Sequence, residues 1–473
     1  MSDDSLLDVI RPAESIEPML LVIFGITGDL AKRKVLPALY HLLKDNLLPT
    51  DMAIIGTSRK ALSTDDLLKE VELCVLEADN VCDPDVIKLF RERLRMLQLD
   101  PVKTEDYHTL RQTLDSIEKE HGVAMNRLYY LSIPPQVYGP IVRQLGECGL
   151  NHGSEEFAGK ARLLVEKPFG YDLASAEDLI EATAAHFTEE QIFRIDHYLA
   201  KETSQNILTF REQNPLFTSV WDGQHISSIS ITAAEKIGIE GRADFYEHVG
   251  AMRDLIQSHL LQLLALTTME LPLDVNNSEQ IHAAKHAVLS AVKPPAPDHM
   301  AEQIVRAQYE GYRDEVKNPD STSETYASLQ LSIDTPRWQG VPVHMVTGKA
   351  MAAKLTEISV CFGSDSAASP NQLTFRVQPN EGIDVSLVVK KPGFELETQV
   401  AHMEFSYQGT FDEHDHPDAY ERVLIDAARG DHALFATSQE VLASWHILQP
   451  ILDHWRRSAS DMKTYKPGTN GPA

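Results

Sequence analysis

Cysteine is scarce. Only Cys74, Cys82, Cys148 and Cys361 occur in 473 residues, with no C-x-x-C pair among them. That excludes the disulfide frameworks of small secreted domains and predicts reduced thiols in a cytosol. Positive charge is also in deficit: 43 lysines and arginines face 70 aspartates and glutamates, and the formal charge of -27 is spread along the whole chain. A field of that sign repels nucleic acid and anionic membrane surfaces, so neither is an expected partner. Long apolar runs are missing too. The longest early one, 19–24, cannot cross a bilayer. The opening segment MSDDSLLDVIRPAESIE is acidic where a secretory leader would be basic, and a cytoplasmic location is expected. No repeat or low-complexity tract is visible, which argues against a solenoid.

What is present suits two large cores, since the chain is too long for one and 43% of it is hydrophobic. The continuous apolar run 19–24 and the segments 53–56, 127–133, 161–165 and 191–195 read as buried strands. Helical patterns at 64–78, 85–98, 105–120, 142–148 and 173–185 separate them. Such alternation predicts a parallel, doubly wound sheet. Beyond residue 200 the rhythm changes. A strand at 226–232 and a long helix at 244–270 precede strands at 326–333, 341–346, 357–362, 373–377, 385–389 and 401–407, then helices at 419–428 and 439–453. Strands in succession favour an antiparallel or mixed sheet. The expected fold is α/β: a Rossmann-like doubly wound domain over 1–198, then an α+β domain over 199–473 with a large, mainly antiparallel sheet. The tail after Lys466, rich in glycine and proline, is expected to be loose.

The turn Gly25-Ile-Thr27-Gly28-Asp29-Leu30-Ala-Lys32-Arg-Lys34 lies between the first strand and the first helix. There a nucleotide pyrophosphate would approach main-chain N–H groups and a helix N-terminus. Its glycine spacing is G-x-x-G, not G-x-G-x-x-G, so position carries more weight than the motif. After the second strand comes Gly56-Thr57-Ser58-Arg59-Lys60, with no carboxylate until Asp65. Dinucleotide folds inspect the adenosine ribose at this point, and a guanidinium in place of an acid predicts NADP in preference to NAD. For Lys60, a surface cation of no special role is an equally open reading.

The segment Arg194-Ile-Asp196-His197-Tyr198-Leu-Ala-Lys201-Glu202 concentrates a carboxylate, an imidazole, a phenol and an ammonium group. Between them these can orient a base, donate hydrogen bonds and neutralise an anion, as a phosphorylated-substrate site requires. The competing reading is a solvated helix start. Lys167, in Glu166-Lys167-Pro168-Phe169-Gly170, ends a core strand at the sheet edge where ligands of such folds sit, and Pro168 is expected to follow a trans bond. Further on, Glu235-Lys236 and the helix bearing Asp254 and His259 supply more titratable groups beside a leucine stripe.

The segments GITGDLAKRK, GTSRKAL, LYYLSIPP, VEKPFG, RIDHYLAKE, EGR, RDLIQSHLLQ, TGKA, FRVQPNEG and AYERVLIDAARGD occur in one order along nearly the whole chain. In order and approximate spacing they resemble the glucose-6-phosphate dehydrogenases. The resemblance implies oxidation of glucose 6-phosphate at C1 to 6-phosphogluconolactone, with hydride transfer to NADP, as the first step of the oxidative pentose phosphate pathway. It implies His259 as general base and Asp196 as the acid that orients it. His197, Tyr198 and Lys201 would bind the sugar phosphate. Glu235, Asp254 and Lys349 would contact the sugar. Lys34 and Lys167 would stand between cofactor and substrate, and Tyr420 would reach the phosphate. Gly25, Thr27, Gly28, Asp29, Leu30 and Arg59 complete the cofactor contacts.

No metal is called for, because a neutral imidazole can take the hydroxyl proton and oxidised nicotinamide the hydride. A homodimer or homotetramer is expected. Animal members carry a second, structural NADP; only the catalytic cofactor is expected here. The chain departs from the usual pattern at GIEGRADFYEH, where Ala243 and Asp244 replace two glycines and stiffen the loop before the base helix, and at Ser258 and Ala200. None of these removes a proposed chemical group. The rival readings are an oxidoreductase of this architecture using another sugar or NAD, and a catalytically silent sensor of sugar phosphate and nucleotide.

Overall fold

Six parallel strands, most of them buried, form the body of the seven-stranded sheet around which the first half of the chain is organised, and the short strand Phe435–Ala436 adds an edge. The structure, a computed structural model, describes residues 16–79, 81–154, 157, 159–363, 371–411, 417–458 and 461–472. The acidic opening segment therefore lies outside the described residues except for Ile16 and Glu17. Two compact units emerge. One comprises Met1–Lys167, Leu179–Ile195 and Asp418–Phe435; the other comprises Pro168–Asp178, Asp196–Pro417 and Ala436–Ala473.

In the first unit, β1 (Met19–Phe24), β2 (Met52–Ser58), β3 (Leu94–Gln98), β4 (Asn126–Leu131), β5 (Ala161–Val165) and β6 (Ile192–Ile195) pair in the order β6-β5-β4-β1-β2-β3, all parallel. Every residue of β1, β4, β5 and β6 is buried, as expected of strands covered by helices on both faces. The register is level: Phe24 at the end of β1 lies opposite Thr57 of β2 and Leu131 of β4. The segments that follow these three strands therefore emerge side by side, where the strand order reverses on either side of β1.

The helix expected over 85–98 is shorter. Asp83 caps its start by accepting the Asp85 N–H at 2.9 Å, but it ends at Arg93, and 94–98 is strand β3. As an edge strand paired only with β2 and half exposed, β3 carries polar residues that mimic a helical face. The helix Ala419–Arg429 packs into this unit from far along the chain. It opens with a capping box of Asp418 and Glu421 and stops at Gly430, φ 81°. Buried Arg162 donates to the carbonyls of Ala427 and Ala428 at its end, where a cation is favoured.

The second unit contains a large mixed sheet. Its strands are β7 (Ile226–Ala234), β8 (Val292–Lys293), β9 (Ile304–Tyr309), β10 (Tyr326–Ile333), β11 (Val343–Gly348), β12 (Leu355–Phe362), β13 (Asn371–Gln378), β14 (Gly382–Lys390), β15 (Thr398–Ser406) and the terminal strand Lys463–Tyr465. The main path runs β15-β14-β13-β12-β7-β11-β10-β9 and then Lys463–Tyr465. Most pairs are antiparallel. The exceptions are β7 with β11 and β9 with Lys463–Tyr465. An aromatic cluster of Tyr246, Tyr309, Tyr312, Tyr326 and Tyr465 with Ile239 and Met351 fills one part of the core.

Two expectations are corrected here. The single helix at 244–270 is three segments, Ala243–Ala251, Met252–Leu260 and Leu261–Thr268, because Gly250 adopts φ 70° and ψ 172° and breaks the first from the second. The tail beyond Lys466 is tied down: Gly468 N–H donates to the Ala350 carbonyl at 2.8 Å and Ala352 N–H to the Thr469 carbonyl at 2.9 Å. The peptide bond before Pro168 is trans; among the described residues the cis bond is Gln378–Pro379.

Candidate active site

The three segments that leave β1, β2 and β4 line a cavity of about 860 Å³ in the first unit. Gly25, Thr27 and Gly28 form one side, Thr57, Ser58, Arg59 and Lys60 another, and Ser132, Ile133, Pro134 and Gln136 a third. Gly25 has φ 77°, and a Cβ there would stand 2.5 Å from the Ile133 side chain, so only glycine permits this turn. Gly28 N–H donates back to the Gly25 carbonyl at 2.8 Å and closes it. A glycine turn before a helix, with an exposed guanidinium at the end of the neighbouring strand, fits a dinucleotide.

Not every expected cofactor residue joins that lining. Asp29 is exposed and pairs with Arg33 at 2.7 Å, Lys34 is exposed on the following helical turn, and Leu30 and Lys167 also lie outside the lining. Ser132, Ile133 and Gln136 were not singled out from the sequence. The strand stop LYYLSIPP held the signal, since a strand beside β1 must deliver its next residues to the same edge.

In the second unit the central feature is an acid–imidazole pair. Nδ1 of His259 lies 2.5 Å from Oδ1 of Asp196, and the two side chains are 0% and 1% exposed. The Tyr198 N–H also donates to Oδ1 of Asp196, at 3.0 Å. Burial pushes the Asp196 carboxyl up, but the charge and hydrogen bond of His259, with His197 and the Tyr198 N–H, outweigh it and draw the carboxyl down to about 2. The carboxylate therefore stays ionised at neutral pH. The ring of Tyr198 stacks on that of His259 at 4.2 Å, and the His197 ring meets His259 edge-on at 4.6 Å.

The segment that carries His259 is wound more widely than an α-helix. In an α-helix, residues five apart diverge by about 140°. Met252–Leu260 is π-helical, and i→i+5 hydrogen bonding brings such residues onto one face. Asp254 and His259, both buried, stand in that relation. Asp254 in turn lies 3.8 Å from the ammonium group of Lys349, which also pairs with Glu235 and sits 5.5 Å from the centre of the Tyr246 ring. Main-chain bonds fix the Glu235 backbone: its N–H donates to Gly348 and its carbonyl accepts from Met351.

The remaining candidates hang on the nearby FRVQPNEG segment. Gln378 donates to the Tyr198 hydroxyl at 3.1 Å, and Glu381 lies 3.6 Å from Lys201. Burial pushes the Tyr198 phenol up to about 12, against a lowering hydrogen bond from Thr356, so it remains a donor at neutral pH. Thus contacts link Asp196, His197, Tyr198 and His259 in one group and Asp254, Lys349 and Glu235 in another, and the π-helical segment that bears both Asp254 and His259 carries the two within one unit, with Lys201 on the same segment as Asp196. Gln378, Thr356, Glu381 and Tyr246 had no role assigned from the sequence, although FRVQPNEG contains two of them. Tyr420 lies in the first unit, buried, and the Glu166 carboxylate raises its phenol further after burial has done so. Among the described residues no group of three metal-ligating side chains could hold an ion, and no helix is long and apolar enough to cross a membrane.

A dinucleotide-type parallel sheet, joined in one chain to a unit with a buried acid–imidazole pair, defines a two-unit nicotinamide-dependent dehydrogenase. The family models agree: that for the glucose-6-phosphate dehydrogenase NAD binding domain matches residues 22–206, and that for the C-terminal domain matches residues 208–473. The glucose-6-phosphate 1-dehydrogenase of Gluconobacter oxydans (strain 621H) is 38% identical over 482 residues, covering 97% of this chain and 95% of its own. Glucose-6-phosphate 1-dehydrogenase 2 of Mycobacterium tuberculosis (strain H37Rv) is 38% identical over 485 residues, covering 96% and 91%. A solved glucose-6-phosphate dehydrogenase in complex with its substrate glucose-6-phosphate is similar at TM-score 0.89 and 33% identity over 96% of both chains. The glucose-6-phosphate 1-dehydrogenase structure from Mycobacterium avium is similar at TM-score 0.82 and 34% identity, again over 96% of each. The chain belongs to the glucose-6-phosphate dehydrogenase family.

Proposed function

We propose that this protein oxidises D-glucose 6-phosphate at C1 to 6-phospho-D-glucono-1,5-lactone with NADP as hydride acceptor, the first step of the oxidative pentose phosphate pathway, in the cytoplasm and as a homodimer or homotetramer. The observation that carries the reading is the 2.5 Å contact between His259 Nδ1 and Asp196. With Nδ1 held by the carboxylate, proton transfer falls to Nε2, which takes the C1 hydroxyl proton while the C1 hydride departs and the lactone carbonyl forms. Asp196 fixes the tautomer and stabilises the imidazolium that results. When bound, oxidised nicotinamide supplies the acceptor for the hydride.

His197, Tyr198 and Lys201 hold the sugar phosphate; a phenol that stays protonated and an ammonium group suit an anion. Glu235, Asp254 and Lys349 take the sugar hydroxyls, and their mutual contacts fix acceptors and donor before substrate arrives. Gly25, Thr27, Gly28, Asp29 and Leu30 serve the pyrophosphate, Arg59 the 2′-phosphate, and Lys34 and Lys167 the region where cofactor and substrate meet. Residues 1–198 are assigned to cofactor binding, with His197 and Tyr198 at their end reaching the sugar phosphate, and 199–473 to substrate binding and self-association. A test is to offer several sugar phosphates with NADP or NAD and follow nicotinamide absorbance. Turnover should be confined to glucose 6-phosphate and faster at low NADP than at low NAD. No turnover with that sugar would contradict the proposal.

A further inference from the structure

The segment Glu324-Thr325, immediately before β10, touches none of the reacting groups assigned above, yet it is bonded to the backbones that carry two of them. One oxygen of the Glu324 carboxylate accepts the Met252 N–H at 3.0 Å, and the Glu324 carbonyl accepts the Ala251 N–H at 2.8 Å. These donors open the π-helical segment that carries Asp254 and His259, and nothing local caps it. Gly250 makes room: a Cβ there would stand 2.5 Å from that same carboxylate. One residue on, the Thr325 carbonyl accepts the Lys349 N–H at 2.8 Å. Tyr465, from the terminal strand, donates to the Lys349 carbonyl at 2.6 Å, and its hydroxyl lies 3.0 Å from that of Thr325. Glu324, Thr325, Tyr465 and Lys349 are 3%, 0%, 3% and 2% exposed, so water does not compete for these bonds.

We propose that Glu324 is a positioning residue: with Thr325, and pinned by Tyr465, it forms a bracket that fixes the spacing between Asp254 and Lys349 and so tunes recognition of the sugar hydroxyls. The proposal rests on the reading of Asp254 and Lys349 as sugar contacts. It assigns Glu324 work as a hydrogen-bond acceptor, which a glutamine carbonyl can perform and an alanine cannot. Burial raises the Glu324 carboxyl above its usual range, with Arg253 and Arg306 opposing, so a neutral side chain is tolerable there.

The test compares KM for glucose 6-phosphate, KM for NADP and kcat in Glu324→Ala, Glu324→Gln, Tyr465→Phe and Lys349→Ala, with thermal unfolding measured on each. A small misplacement of a binding group is expected to raise the sugar-phosphate KM about tenfold in Glu324→Ala and about threefold in Tyr465→Phe, with the NADP KM within about twofold and Glu324→Gln recovering most of the loss. The bracket is overturned if Glu324→Ala folds and its sugar-phosphate KM stays within about twofold of the parent, or if both KM values rise together. Should Glu324→Ala fail to fold, a Tyr465→Phe protein with an unmoved sugar-phosphate KM, or a folded Glu324→Gln protein that loses tenfold or more, overturns it equally. If Lys349→Ala itself leaves the sugar-phosphate KM unmoved, the underlying site assignment falls; if that variant is impaired and the bracket variants are not, only the bracket falls.

Discussion

Asp196 holds His259 from 63 positions away in the chain, Oδ1 to Nδ1 at 2.5 Å, with both side chains withdrawn from solvent. The carboxylate follows the carboxyl end of β6, and the imidazole rides on a helical segment widened to i→i+5 bonding. Because the Asp196 carboxyl is drawn from its usual value down to about 2, the pair favours folding above about pH 4 and loses that contribution as pH falls toward about 2.

Replacing the acid by its amide removes the charge with little change of shape. Asp196→Asn should lower kcat by about 10²- to 10⁴-fold, since the wrong tautomer is held and the imidazolium loses its counter-charge. KM for glucose 6-phosphate should change far less. Steady-state kinetics decide it, and a kcat within a few-fold of the parent would show that the acid is structural.

Cofactor choice is tested at the end of β2. Arg59→Ala should weaken NADP binding by about 1–3 kcal/mol while leaving NAD nearly unchanged, because only NADP offers a 2′-phosphate to the guanidinium. Titration of both dinucleotides measures the ratio directly.

Behind the base, Gln262 donates to Glu440, accepts from Lys285, and Lys285 and Glu440 form an ion pair at 2.9 Å with both side chains 0% exposed. Burial disfavours the Glu440 carboxylate, but Lys285 and His282 hold it down at about 2, so its contribution is present above about pH 4.5 and lost below. Lys285→Met should cost about 3–5 kcal/mol in urea unfolding by removing one cation from a buried carboxylate that then keeps only His282, at 2.8 Å, and Gln262. The double variant Lys285→Met/Glu440→Gln should recover most of that loss.

Among the buried carboxylates that oppose folding at neutral pH, Asp426 is shifted to a value within reach of a Tm titration. Asp426 is buried, and desolvation lifts it to about 6 despite Arg422 at 3.2 Å. Its folded value lies above the unfolded one, so stability falls as pH rises from about 4 to about 6 and stays reduced above that. Asp426→Asn should therefore raise stability by about 1–3 kcal/mol at pH 7 to 8 and by little below pH 4, read as Tm across that range.

The alternation of buried strands and helices is legible because a parallel strand covered on both faces tends to a continuous apolar run, as 19–24 is. Strand β9 is not legible for the opposite reason: Arg306 and Gln308 are buried within it and are satisfied by Asp461 and the Ser321 and Ser323 carbonyls, partners no local pattern announces. The same holds for Gly250. A lone glycine in a helical pattern gives no sign of a break, and the cap that rewards the break, Glu324, is 72 residues from the N–H it accepts. Of the site, the charged nonapeptide and the helix with His259 stand out by composition, whereas the pairing of Asp196 with His259 came only from family resemblance. The supporting Gln378 and Thr356 depend on strand register, which one sequence does not reveal.

The most direct measurement is on His259→Asn, with turnover and glucose 6-phosphate binding determined on the same preparation. A base acting at C1 predicts turnover reduced by about 10³-fold or more with the sugar-phosphate Kd within about threefold of the parent. Turnover within tenfold of the parent, or equal loss of turnover and binding, would contradict the account.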